Sequence, residues 1–144
     1  MRIEVTRLDP DLALPTAQHP GDAGYDLCAR TDTVIPAAGG RVLVPTGIAI
    51  AIPPGYAGFV QPRSGLALRH GVTVLNGPGL IDAGYRDELK VILVNHDPTE
   101  PFVITRGDRI AQLVVQRVEE IDWVEVDTLD ESRRDTGGFG STGT

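Results

Sequence analysis

The chain has 144 residues, within the range of a single domain that buries a core without disulfide or metal staples. Apolar residues make up 41% and charged residues 23%, which excludes disorder over most of the length. A net charge of −7, with a sequence pI near 4.8, excludes nonspecific attraction to nucleic acid or to an anionic membrane, so an anionic ligand needs a local basic site. No stretch approaches the roughly 20 apolar residues that span a bilayer, and Met1–Thr6 lacks a signal-peptide core, so the expected location is cytoplasmic. Cys28 is the only cysteine, which rules out an internal disulfide and a Cys-rich zinc site and leaves a buried, inert thiol as its reading.

Apolar, β-branched runs follow one another as Ile3–Leu8, Arg41–Ile52, Tyr56–Val60, Val72–Leu75, Leu89–Val94, Phe102–Thr105, Ile110–Val118 and Trp123–Val126, each bounded by Pro, Gly, Asp or Asn. Only Ser64–Arg69 has room for a helical turn or two. The 17 glycines and 11 prolines scattered between the runs disfavour a helical bundle. An all-β fold follows, a jelly-roll-like barrel or sandwich, because many short strands must close or stack to bury their apolar faces. Val91-Ile92-Leu93-Val94 is apolar on both faces, so this strand is expected to be covered by a second layer or by another subunit. The division expected is a β domain over residues 1–126 and a flexible C-terminal arm over residues 127–144, where the glycine-rich end has little to bury.

Several segments have the residue types that phosphate chemistry needs. Asp22-Ala23-Gly24-Tyr25-Asp26-Leu27 and Ile81-Asp82-Ala83-Gly84-Tyr85-Arg86 place aspartates in glycine-containing turns. Such carboxylates either hold a hydrated Mg²⁺ and activate a water, or bond their own backbone. Pro62-Arg63-Ser64-Gly65-Leu66-Ala67 presents Arg, Ser and Gly where a helix begins, as an anion site or as a capped turn with a solvated arginine. Gln112 interrupts an apolar run, so its amide faces solvent or binds something. Gly138–Gly143 fits the spacing G-x-G-x-x-G, but with no strand before it and no helix after it a dinucleotide-binding reading fails. What remains is a phosphate cradle, or a tail without function. His19, His70 and His96 lack metal-ligand spacing and read as surface residues.

In order, Asp22–Leu27, Pro62–Ala67, Asn76–Arg86, Arg106–Leu113 and Gly137–Gly143 resemble the five motifs of trimeric dUTPases, and the match spans nearly the whole chain. The resemblance implies a β jelly roll assembled as a homotrimer, with active sites shared between subunits. It implies hydrolysis of dUTP to dUMP and pyrophosphate, which supplies dUMP and keeps uracil out of DNA. Asp82 is the implied base that orients water for attack on the α-phosphorus. Arg63, Ser64, Gly65 and Gln112 are the implied phosphate ligands, joined by Arg134, Phe139, Gly140, Ser141 and Thr142 of the arm. Asp26 is implied to contact Mg²⁺ through water. Asn76, Gly79, the backbone of Leu80 and Ile81, and the strand carrying Lys90 form the implied uracil pocket, with Tyr85 packed on the deoxyribose.

Two positions depart from the family pattern. Asp87 and Asp135 stand where glycine is usual, and the pair Arg133-Arg134 leaves the register of the arm's arginine open, with Arg134 favoured. The competing readings are a dCTP deaminase, disfavoured by Tyr85 after Asp82-Ala83-Gly84, and a non-catalytic jelly-roll interaction protein, disfavoured by intact Asp82, Ser64 and Gln112.

Overall fold

A computed structural model describes residues 1–130. Among the described residues, eleven strands and one short helix follow in the order β1 (Glu4–Arg7), β2 (Tyr25–Cys28), β3 (Thr33–Ile35), β4 (Arg41–Pro45), β5 (Ile48–Ala51), β6 (Tyr56–Gln61), α1 (Ser64–His70), β7 (Val72–Val74), β8 (Gly79–Ile81), β9 (Lys90–Asn95), β10 (Phe102–Ile104) and β11 (Arg109–Arg117). Every pairing is antiparallel. The sheets run β2-β11-β6-β8, β4-β9-β7, β1-β5 and β3-β10, so strands distant in sequence lie side by side, as in a jelly roll.

Period-two alternation sends Val72 and Val74 of β7 and Val91 and Leu93 of β9 into one core with Val44 of β4, and Leu27, Val60 and Leu113 of the four-stranded sheet join them. A register irregularity between Arg109 and Ala111 lets Ile110 turn in as well, with Ile35, Ile52 and Ile104. Full burial of each such side chain contributes about 1.5–3 kcal/mol before the cost of ordering the chain. Val91, Leu93 and Val94 of β9 are buried and Ile92 is half-buried, in accord with the strand expected to be covered on both faces. Asn95 continues β9 as a fully buried amide. It donates to the carbonyls of Ile35 (3.3 Å) and Glu100 (2.8 Å), which satisfies an otherwise costly group.

Three expectations change. The run Arg41–Ile52 is two strands, because the chain turns at Thr46-Gly47, where Gly47 takes φ +75°. Trp123–Val126 forms no strand. No neighbouring strand pairs with it among the described residues, and Trp123 is 86% exposed. Cys28 is half-buried rather than buried, at the end of a strand on the edge of its sheet.

Candidate active site

β8 is the edge strand of the four-stranded sheet, and its registered partners on β6 run Gly58↔Ile81, Phe59↔Leu80 and Val60↔Gly79. Its outer backbone groups therefore have no strand partner among the described residues, and its three residues line a cleft of about 330 Å³. Asn76, Gly79, Leu80, Ile81, Asp82, Tyr85 and Lys90 all line this cleft. Gly79 is there because the space is taken: a Cβ would stand 3.3 Å from Val60 Cβ and 3.4 Å from the Asn76 amide nitrogen. Its absence lets the Asn76 amide lie against the edge strand.

Asp82 stands exposed just past β8, and its carbonyl accepts the Tyr85 amide (3.0 Å), closing a tight turn. The turn aims Tyr85 along the cleft wall, where its hydroxyl donates to the Glu88 carbonyl (3.0 Å). Lys90 reaches toward Asp87, 3.8 Å away, so the aspartate that replaces the usual glycine faces a pocket lysine.

A second group assembles across β2, β11 and β6, where Asp26, Gln112 and Gln61 lie in register. Asp26 is only 4% exposed. Its Oδ2 accepts hydrogen bonds from Gln18 Nε2 (2.9 Å) and Arg109 Nη1 (3.1 Å), whereas Oδ1 has no hydrogen-bond partner among the described residues. Arg63 Nε is 3.8 Å from Oδ1, close enough for Coulomb attraction but too far for a hydrogen bond, and Arg63 Nη1 donates to the Arg109 carbonyl (2.7 Å). The Gln112 amide packs over Gly24, where any side chain would stand 3.2 Å from it. Arg63 is the N-cap of α1 in an extended conformation, no side chain caps the helix, and Ser64 and Gly65 form its first turn. This group therefore concentrates donors: two guanidiniums, an amide and an uncapped first turn around one buried carboxylate.

Asp26, Arg63, Ser64, Gly65 and Gln112 do not line the cleft that holds Asp82. One protomer thus separates a pocket with a carboxylate at its rim from a cluster rich in anion donors. Arg134, Phe139, Gly140, Ser141 and Thr142 lie outside the described residues.

The family profile described as dUTPase matches residues 11–143. A deoxyuridine 5′-triphosphate nucleotidohydrolase of Thermobifida fusca (strain YX) is 63% identical over 143 residues, covering 99% of this chain and 79% of its own. The chain belongs to the dUTPase family. A relative with the same name from Gloeobacter violaceus is 57% identical, covering 99% and 97%. Among solved structures, the Staphylococcus bacteriophage 80alpha dUTPase with dUPNHPP superposes with a TM-score of 0.90 at 26% identity, covering 99% of both chains. A mutant dUTPase from phage phi11 of S. aureus, whose structure concerns the coordination of a structural Mg(II) ion, has the same fold, with a TM-score of 0.83 at 23% identity over 91% and 100% of the two chains.

Two residues of this dUTPase escaped the sequence reading. Arg109 lies within the Arg106–Leu113 motif without an assigned role, and only its bond to Asp26 reveals its place. Glu88 follows two other charged residues, Arg86 and Asp87, and its burial beside Leu89 has no local sequence signal.

Proposed function

We infer that this enzyme hydrolyses dUTP to dUMP and pyrophosphate, with Asp82 as the general base at the mouth of the β8 cleft. The observation that carries the assignment is that cleft. Its volume lies at the low end for small-molecule sites, and Asn76, the free edge of β8 and the Tyr85 ring converge in it with one carboxylate at the rim. Uracil presents an N3–H donor beside an O4 acceptor, whereas cytosine reverses both, so a pocket that pairs these groups leaves two unpaired with the wrong base. Asn76 and the backbone of Leu80 and Ile81 take that role, Gly79 keeps the pocket open, and the strand carrying Lys90 closes its side. Tyr85 packs on the deoxyribose where a 2′-hydroxyl would project.

Arg63, Ser64, Gly65 and Gln112 receive the triphosphate, with Arg134, Phe139, Gly140, Ser141 and Thr142 of the arm completing the enclosure. Phosphoryl transfer depends mostly on positioning and electrostatics, because charge builds on the leaving pyrophosphate, and these donors meet that charge. Asp82 accepts the proton of the attacking water, a contribution of typically about 10²–10⁴-fold.

The residues also suit Mg²⁺. No three His, Cys, Asp or Glu side chains among the described residues are grouped to hold a metal, so a cage made only of protein ligands is not part of the reading. Magnesium keeps several waters and shares its shell with phosphates, and the unpartnered Oδ1 of Asp26 suits an acceptor for one of those waters. When bound, the ion neutralises phosphate charge.

The homotrimer belongs to the same proposal. Base pocket and phosphate cluster lie apart in one protomer, and several large apolar side chains, including Leu43, Leu80, Val103 and Trp123, are more than half exposed, as interface surfaces are. Residues 127–144 act as the arm of the β domain spanning residues 1–126. A cytoplasmic location completes the reading; among the described residues no helix is long and apolar enough to cross a membrane. Pyrophosphate release from dUTP with and without Mg²⁺ tests the function, and ammonia release from dCTP instead would replace it with deamination.

A further inference from the structure

Glu88 is one of the few charged side chains this fold buries, at 9% exposure, and the chemistry assigned above does not use it. Burial of a carboxylate is costly unless it is paired, and this one is held twice. Its Oε1 accepts the Gly47 amide (2.8 Å) and Arg30 Nη1 (3.3 Å). Arg30 is braced in turn: its Nη2 donates to the Leu8 carbonyl (3.1 Å), and its Nε lies 4.0 Å from Asp9, which Arg106 grips with Nη2 at 2.9 and 3.1 Å from its two oxygens.

The backbone beside Glu88 is fastened to the same turn. Leu89 N–H donates to the Ile48 carbonyl (2.8 Å), and the Leu89 carbonyl accepts both the Thr46 amide (3.1 Å) and the Thr46 hydroxyl (2.7 Å). One group exploits this fixed backbone: the Tyr85 hydroxyl donates to the Glu88 carbonyl at 3.0 Å. Tyr85 itself sits on a loop and is 38% exposed, so its ring is held at two points, through its amide on Asp82 and through its hydroxyl on Glu88.

We propose that Glu88, backed by Arg30, is a positioning residue for the Tyr85 ring and thereby sets the discrimination against ribonucleoside triphosphates at this site. The inference rests on the reading that Tyr85 lies against the sugar. A ring tethered at its far end cannot swing aside for a 2′-hydroxyl, whereas a ring held only by its backbone can. Glu88 touches no substrate in this account; it fixes the carbonyl that fixes the ring.

The experiment compares kcat/KM for dUTP and UTP, with Mg²⁺, in the full-length chain carrying Tyr85→Ala, Tyr85→Phe, Glu88→Ala, Glu88→Gln, or Tyr85→Phe together with Glu88→Ala. Tyr85→Ala should raise the UTP:dUTP ratio most. Tyr85→Phe and Glu88→Ala should each raise it by about tenfold, the scale of one steric increment in a pocket. The double variant should match the larger single change, because Tyr85→Phe removes the tether and Glu88→Ala loosens the carbonyl that anchors it, so both act on one contact. Glu88→Gln keeps an acceptor for the Gly47 amide and should fall between wild type and Glu88→Ala. If Glu88→Ala lowers kcat/KM for both substrates by the same factor, Glu88 is only structural and the proposal is overturned. If it does not fold, Tyr85→Phe carries the test, and an unchanged ratio there overturns the proposal equally. If Tyr85→Ala leaves the ratio unchanged, the sugar reading fails and this inference fails with it; a shift with Tyr85→Ala but not with the Glu88 variants defeats only the tether.

Discussion

Replacing Asp26 with Asn separates its structural role from the metal role proposed for it. The amide is isosteric, and its oxygen can take the place of Oδ2, accepting from Gln18 and Arg109 at the present 2.9 and 3.1 Å. Its NH₂ then stands where Oδ1 was, 3.8 Å from Arg63 Nε, a donor facing a donor. Two charge-assisted bonds weaken to neutral-acceptor bonds, each a loss of roughly 1 kcal/mol or less, and Arg109, with 44% of its side chain exposed, recovers part of that from water. The stability cost is therefore about 1–2 kcal/mol, a fall of a few degrees in Tm. The effect on magnesium is larger, because an NH₂ cannot accept a hydrogen bond from a metal-bound water. Loss of an outer-shell partner typically costs about 10–100-fold in metal affinity or activity. Pyrophosphate release from saturating dUTP, titrated with Mg²⁺, should show the half-saturating concentration raised by that factor while thermal melting stays cooperative. A folded Asp26→Asn protein with wild-type Mg²⁺ dependence would refute the water-mediated role.

Asp82→Asn should leave dUTP binding largely intact and lower kcat by about 10²-fold or more, the loss expected of a general base; a rate above a tenth of wild type would contradict it. Deleting Arg133–Thr144 should lower both kcat and kcat/KM by orders of magnitude without loss of fold, since the core lies between Leu27 and Leu113; near-normal kcat in the truncated chain would remove the arm from the mechanism. Asp9 titrates below its ordinary value of 3.8, chiefly because Arg106 hydrogen-bonds its carboxylate. A depressed folded-state value means that its stabilisation is complete above the unfolded-state value and is lost as pH falls through the folded-state value. The Tm difference between wild type and Asp9→Asn should accordingly be steady near neutrality and shrink below about pH 4; a difference independent of pH across that range would show that the ion pair contributes nothing.

The sequence shows the long, strongly apolar strands because their alternation is a local property. Ile110–Val118 falls within one residue of β11 at each end, and Tyr56–Val60 falls within one residue of β6. It hides β2, β3 and β8, which have only three or four residues each, and β2 has Asp26 at its centre. Those strands exist because longer partners pair with them, which no window on the chain itself reveals. Trp123–Val126 is the converse: an apolar run without a partner among the described residues. In the site, residues that line one cleft were legible through their motifs, whereas Arg109 and Glu88 owe their roles to contacts 83 and 58 residues away in sequence, with Asp26 and Arg30. The apolar groove bounded by Ile3, Leu14, Tyr25, Ile50, Leu113 and Val115 likewise joins five separate stretches of chain. Cys28 is only half-buried, yet burial still pushes its thiol above the usual 9.0.

The central claim is that water attacks the α-phosphorus of dUTP with Asp82 as base. Turnover in H₂¹⁸O followed by mass spectrometry of both products tests it most directly. The account predicts one ¹⁸O atom in the dUMP phosphate, none in pyrophosphate, and loss of this labelled product with Asp82→Asn. Label in pyrophosphate, or release of orthophosphate in its place, would contradict it.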